Sequence, residues 1–184
     1  PRQQKALNNV IETFLGVPGD SSGPIRVVAP DTVQASSRTY NVNDPCSGGT
    51  FGTSIPALAP EAALTAGIVA QVAGSSDPRS GFRTNLILTN PSDVDTADVE
   101  IVLRRGEGGQ LGTVGRATIA PHGVFQRELF SLAGASGITT DNAFVQFSSN
   151  QPLFAFTTVV DNRTNDSSAY FASPIAGTGN TLVK

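Results

Sequence analysis

This sequence predicts an all-β fold, an antiparallel β-sandwich of about ten strands with one short N-terminal helix. Runs of β-branched and aromatic residues recur at intervals of roughly 8–12 positions. The connections between them are too short for crossover helices, and 19 Gly and 12 Pro punctuate the 184 residues with turns. A chain of this length accommodates one well-buried core.

The elements follow in order. "QQKALNNVIETFL", residues 3–15, places Ala6, Leu7, Val10, Ile11, Phe14 and Leu15 on one helical stripe, with Gly16 and Pro18 as the stop. We take residues 1–16 as an amphipathic helix, 17–23 as a linker, 24–173 as the β-sandwich and 174–184 as a tail. "PIRVVA" and "TVQASSRTYNV" flank Pro30-Asp31 and predict a hairpin, while the Gly- and Pro-rich "GTFGTSIPALAP" predicts an extended loop. "EAALTAGIVAQVAG" predicts a strand. Between residues 82 and 119, "FRTNLILTN", "DVEIVLRR" and "TVGRATIA" alternate between turn signals, which predicts an antiparallel meander. "HGVFQRELFSLAG" predicts a helical turn near residues 128–133. "AFVQFSS" and "PLFAFTTVVDN" around Asn150-Gln151 predict a second hairpin, and "SSAYFAS" a final strand. "LFAFTTVV" is apolar on both faces, so it is central, or covered by the N-terminal helix or by a neighbouring subunit. Residues 25–41 and 145–161 match in phase when superimposed, which raises internal duplication without establishing it.

Composition narrows the function. Charged residues are 15%, and 12 Lys and Arg against 15 Asp and Glu leave a net charge of -3. Such a surface has no electrostatic footprint for nucleic acid. Arg104-Arg105, flanked by Glu100 and Glu107, reads as a solvated strand end. No apolar run approaches the roughly 20 residues of a membrane helix, so no membrane span is expected. With no Met, the chain is expected to begin at Pro1 after processing or excision. Abundant Gly, Ser, Thr and Asn with few Lys and Glu resemble the make-up of secreted bacterial β-proteins. Cys46 is the sole cysteine, which excludes an internal disulfide and leaves an incidental thiol or an intermolecular bond.

The motif search assigns no catalytic, cofactor-binding or metal residue. His122, held in "APHGV", is the single His and reads as an exposed turn, and no nucleophile elbow accompanies it. One Cys and one His do not make a zinc site. Asp93, Asp95, Asp98 and Glu100 could chelate a hard cation, but the spacing lacks the EF-hand pattern, and Asp98 and Glu100 fit a strand's solvent face. "GEGGQLGTVG" joins two strands, so no helix N-terminus backs it as a phosphate site. The sequons at Asn162 and Asn165 read as chance matches. Enzymatic chemistry would have to use carboxylates alone, such as Glu61 or Glu128.

"SSRTYN", "GTFGTSIPALAP", "GFRTNLILTNPSD" and "LFAFTTVVDNRTNDSSAYF" together resemble a β-sandwich module that recurs near the C-termini of secreted and cell-surface proteins of environmental bacteria. The resemblance covers roughly residues 5–173. It implies an extracellular, noncatalytic module and carries over no functional residue. Asn41, Asn90 and Asn162 fit turn closure at strand ends. Arg38, Arg83 and Asn85 are read as structural, the alternative being a shared polar face for glycan or peptide. The function expected is a noncatalytic structural or assembly module at the cell surface, a homo-oligomer or polymer built through sandwich edges or terminal segments. The alternative is an accessory module binding polysaccharide or a surface protein. The lack of Trp, with Tyr40 and Tyr170 the only tyrosines, weighs against sugar stacking.

Overall fold

The computed structural model of the chain describes residues 3–19, 21–30, 32–42 and 50–175. Cys46, the Asn41 side chain and tail residues 176–184 lie outside what is described. The protein is an antiparallel all-β structure of ten strands: β1 (Ser36–Val42), β2 (Thr50–Pro56), β3 (Leu64–Gly74), β4 (Phe82–Thr89), β5 (Ala97–Arg105), β6 (Gly115–Ile119), β7 (Val124–Glu128), β8 (Thr140–Asp161), β9 (Ser167–Phe171) and β10 (Ser173–Pro174). A single helical turn, α1 (Leu129–Leu132), separates β7 from β8.

The N-terminal helix is shorter than its apolar stripe predicts, a π-helical turn confined to Val10–Phe14 with no buried residue. Asn9 in the left-handed region starts it and Gly16, also left-handed, follows it. So short a helix persists only if its stripe is buried, yet Leu7, Phe14 and Leu15 are 44%, 63% and 51% exposed. It therefore does not cover the sandwich.

The predicted hairpin around Pro30 does not form. Its second arm becomes β1, which pairs instead with β2, the segment predicted to be a loop. Pro24 and Pro30 bracket the would-be first strand and deny it ladder donors. Gly52 of "GTFG" serves pairing: it lies opposite Tyr40, and a Cβ there would sit 2.6 Å from that of Tyr40.

The remaining eight strands are organised by one of their number, β8, which pairs directly with β3, β4, β5 and β9. β8 is a single strand of 22 residues where two strands and a hairpin turn were predicted. Its first half lies between β3 and β5, and its second half between β4 and β9. One sheet thus runs β10-β3-β8-β5-β6, and the other runs β7-β4-β8-β9. The turn signal at Asn150-Gln151 appears as a bulge: Leu64 pairs with Leu153 and Ala66 with Ser148, so one β3 residue faces four on β8. Pro152 sits in this bulge, where a missing N–H breaks no ladder bond. Asn150 turns its carbonyl oxygen to accept the Asp98 amide at 2.8 Å, holding the bend to β5.

The predicted meander is half realised, since β5 pairs with β6 while β4 joins β7 and β8 in the other sheet. Internal duplication loses its basis, because neither of the two matched segments is a hairpin.

Alternation selects the core. Val99, Ile101 and Leu103 of β5 face inward with Val69 and Val72 of β3 and Val145 and Phe147 of β8. Leu86 and Leu88 of β4 meet them from the other sheet, with Leu153 and Ala155 from the second half of β8. Leu129 and Phe130 of α1 join the same cluster. Phe147 is 1% exposed and sits against Gly67, where a Cβ would come within 2.8 Å of its ring.

Phe147→Ala is expected to cost about 3–5 kcal/mol, the usual loss for a buried aromatic truncated in a packed core. Urea unfolding followed by far-UV circular dichroism checks this; a loss below about 1 kcal/mol would contradict the central placement of the ring.

Candidate functional site

The polar residues singled out in the sequence mostly lock turns. Arg83 donates to the side-chain oxygens of Asn162 at 2.9 Å and Asn165 at 3.1 Å, clamping the turn between β8 and β9. Asn162 in turn donates to the Ser80 carbonyl at 3.0 Å, and Asp161 accepts the Arg163 and Thr164 amides. Both sequon asparagines are thereby part of one turn lattice. Asn90 is fully buried, donates to the carbonyls of Asp95, Ile119 and Ala120, and accepts the Ser92 amide. It ties the loop after β4 to the end of β6. Arg38 stacks over Tyr40 on the separate β1-β2 ribbon, 5.4 Å from the ring centroid, whereas Arg83 and Asn85 lie on β4.

The carboxylates are similarly employed. Glu128 accepts the Phe130 and Ser131 amides at 3.0 and 2.6 Å and so caps α1. Glu61 is exposed on the short turn before β3. Asp98 accepts from Thr118, and Glu100 pairs with Arg116 at 2.7 Å, both across the solvent face of β5-β6. Asp93 lies 3.4 Å from His122 and 3.4 Å from Arg26, all three on the surface. The hydroxyl of adjacent Ser92 is taken up accepting the Val94 and Asp95 amides. Among the described residues no three His, Cys, Asp or Glu side chains gather as a metal site. In the "GEGGQLG" loop Leu111 plugs the core at 1% exposure, and Gly112, with φ 67°, passes against the Ala133 carbonyl. Arg104 is half-buried, donating to Gln146 and the Gly108 carbonyl.

Two surfaces remain uncommitted. The first is a cleft of about 550 Å³ spanning the two sheets at one end. Ala70, Gln71 and Ala73 of β3 and Asp141 to Phe144 of β8 line one side, and Phe82, Val159 and Tyr170 the other. A neighbouring groove of about 210 Å³ shares Phe82, Val159 and Tyr170 and adds Asp161 and Asp166. Gln71 lies in the left-handed region at φ 59°, inside the bulge where the β3-β8 register shifts. Bulges of this kind re-aim side chains, and a non-Gly residue held there stores strain. Beneath the cleft, Thr157 is cross-strand partner to Tyr170 and its fully buried hydroxyl has no hydrogen-bond partner. An unsatisfied group of this type costs about 1–3 kcal/mol.

The second is the N-terminal arm, residues 3–35. Leu7, Phe14, Leu15, Val17, Ile25, Val27, Val28 and Val33 are all exposed there, Val28 at 88%. Only Val10, Ile11 and Ala35 are even partly buried among its described residues. The helical spacing of the arm was legible in the sequence, and its exposure was not. The cleft residues escaped notice because Gln71, Asp141 and Asn142 carry no motif and meet Phe82 and Tyr170 only through strand pairing.

No family model and no curated protein matches this chain. Among solved structures it is similar to Thermotoga maritima 1070, at 14% identity over 63% of this chain and 98% of that one, TM-score 0.47. It is also similar to the Anabaena sensory rhodopsin transducer, at 20% identity over 52% of this chain and 96% of that one, TM-score 0.40. Likeness this slight carries no inference about what the chain does.

Replacing Asn90 by Ala should cost about 2–3 kcal/mol, because the carbonyls of Asp95, Ile119 and Ala120 lose their fully buried donor. Thermal unfolding of the variant tests this, and an unchanged midpoint would refute the locking role. Asp77 supplies a pH test. The Arg79 amide, and after it the Ser80 hydroxyl, donate to its carboxylate and hold its pKa below the ordinary range, with Arg163 adding a smaller pull. A lowered folded pKa means this contribution is present above the unfolded pKa and is lost as pH falls through the folded one. Carboxyl NMR titration should place the Asp77 midpoint below that of an unstructured aspartate; a midpoint at or above it contradicts the assignment.

Proposed function

We propose that this chain is a noncatalytic extracellular module that self-associates, building a filament, surface layer or tandem array. The observation that carries the reading is the apolar arm: eight large apolar side chains between Leu7 and Val33 are 43–88% exposed. Exposed apolar surface that gathers into a patch marks interaction sites, and each Å² removed from water contributes roughly 25 cal/mol. Sheet edges offer less. The edge strands β6, β7 and β9 are five residues each, and β6 and β7 carry Arg116 and Arg127, features that discourage strand addition. The extracellular setting is supported by the low charge and by the Gly-, Ser-, Thr- and Asn-rich composition. Glu128, Asp161 and His122 sit in a cap, a turn lock and a surface pair, which agrees with a noncatalytic role.

Light scattering and electron microscopy of the same purified sample test the reading. The expected result is a particle several times the 19.0 kDa chain mass, with ordered polymers in the images. A strictly single-chain mass up to high concentration would end it.

A further inference from the structure

We propose that the arm segment Ile25–Val28 of one copy docks in the inter-sheet cleft of a second copy. This inference rests on the self-association reading and names its contact surfaces. "PIRVV" is extended between prolines, and no backbone hydrogen bond joins residues 21–29 to another described residue. Ile25 and Val27 are 48% and 56% exposed. An extended strand presents these two on one side and Arg26 and Val28 on the other. The segment therefore carries unpaired backbone groups, aliphatic side chains and one cation.

The cleft offers the complement. Phe82, 41% exposed, forms with Val159 and Tyr170 an apolar wall, while Gln71 and Asn142 supply amide donors and acceptors. At about 550 Å³ the cleft lies in the size range of sites that bury a ligand, roughly 300–1,000 Å³. Asp141 lines it, and Asp161 and Asp166 line the adjoining groove, with no Lys, Arg or His in either lining. Asp141, whose carboxylate accepts no hydrogen bond among the described residues, suits an incoming guanidinium, while Asp161 and Asp166, already accepting backbone amides of the β8-β9 turn, add negative charge beside it. Among the described residues of the same chain Arg26 pairs only with Asp93, an exposed pair at 3.4 Å, and such pairs are weak.

Geometry makes the donor a second chain. Asp93 follows the end of β4 at Thr89, whereas the cleft opens at Phe82, the start of β4. Seven residue steps of strand separate the two ends, about 23 Å at 3.3 Å per residue. Arg26 thus lies at the far end of the sheet from its own cleft. Reciprocal insertion closes a dimer; one-way insertion propagates an open filament.

Two full-length variants test the proposal. Ile25→Ser, Val27→Ser and Val28→Ser combined disable the arm and leave the cleft intact. Ala70→Trp, at an exposed lining position, fills the cleft and leaves the arm intact. Light scattering should show each alone at the single-chain mass and an equimolar mixture recovering a two-chain particle. Asp141→Arg and Arg26→Glu should each weaken association about tenfold or more, and mixing the two charge-reversed chains should restore it. Asp141→Arg also decides the matter if Ala70→Trp fails to fold. A monomeric arm variant beside cleft variants that assemble like the parent would overturn the docking site and leave self-association standing. Failure of the mixtures to associate would likewise overturn it. A parent chain that never associates would overturn both readings, and an arm variant that assembles unchanged would overturn the docking while leaving self-association standing.

Discussion

Strand β8 gives its first half to one sheet and its second half to the other, and the rest of the structure depends on that sharing. Phe147 on the first half and Leu153 and Ala155 on the second belong to one hydrophobic cluster, so the two sheets are stabilised together. The bulge at residues 149–152 makes this geometrically possible, letting a continuous backbone bend out of one sheet and into the other. Three of the four partners of β8, namely β3, β4 and β5, are far from it in sequence. Loop-closure entropy must then be met before any core contact is gained, a topology that favours slow, cooperative folding.

Around this strand the polar side chains act as fasteners. Asn90, Arg83, Glu128 and Asp161 each satisfy two or more hydrogen-bonding groups at a strand or helix end. Short connections demand this, because backbone groups cut off from both ladder and water are costly. The same economy explains the lack of chemistry at the residues that a motif search selects. A carboxylate accepting two backbone amides at a cap is already committed.

What the sandwich does not use is therefore the more informative part of the molecule. The arm is apolar and unburied, and the cleft is apolar, acidic and set where a β3 bulge strains Gln71. Each feature alone is an unfavourable exposure. In the contact proposed between two copies, the arm would gain burial and the cleft a cation.

The chain's own residues determined the strand content and the inward faces: alternation at Val99, Ile101 and Leu103 is a local property and survives into the core unchanged. Turn chemistry was also local, and "SNQP" does bend the chain, as do Asn90 and the Asp161–Asn162 pair. Which way a bend leads is decided elsewhere. Whether "SNQP" reverses a strand or bulges it depends on β3 and β5 already flanking the first half of β8. Whether "GTFG" loops or pairs depends on Tyr40 arriving opposite Gly52. The N-terminal stripe and the cleft show the same division. Helical periodicity specifies a face, but only a partner surface makes it a buried helix, and strand pairing alone brings Gln71, Phe82, Asp141 and Tyr170 to one place. Local patterning sets what each segment is able to form; long-range burial, available only in the assembled tertiary structure, selects which of those possibilities is stabilised.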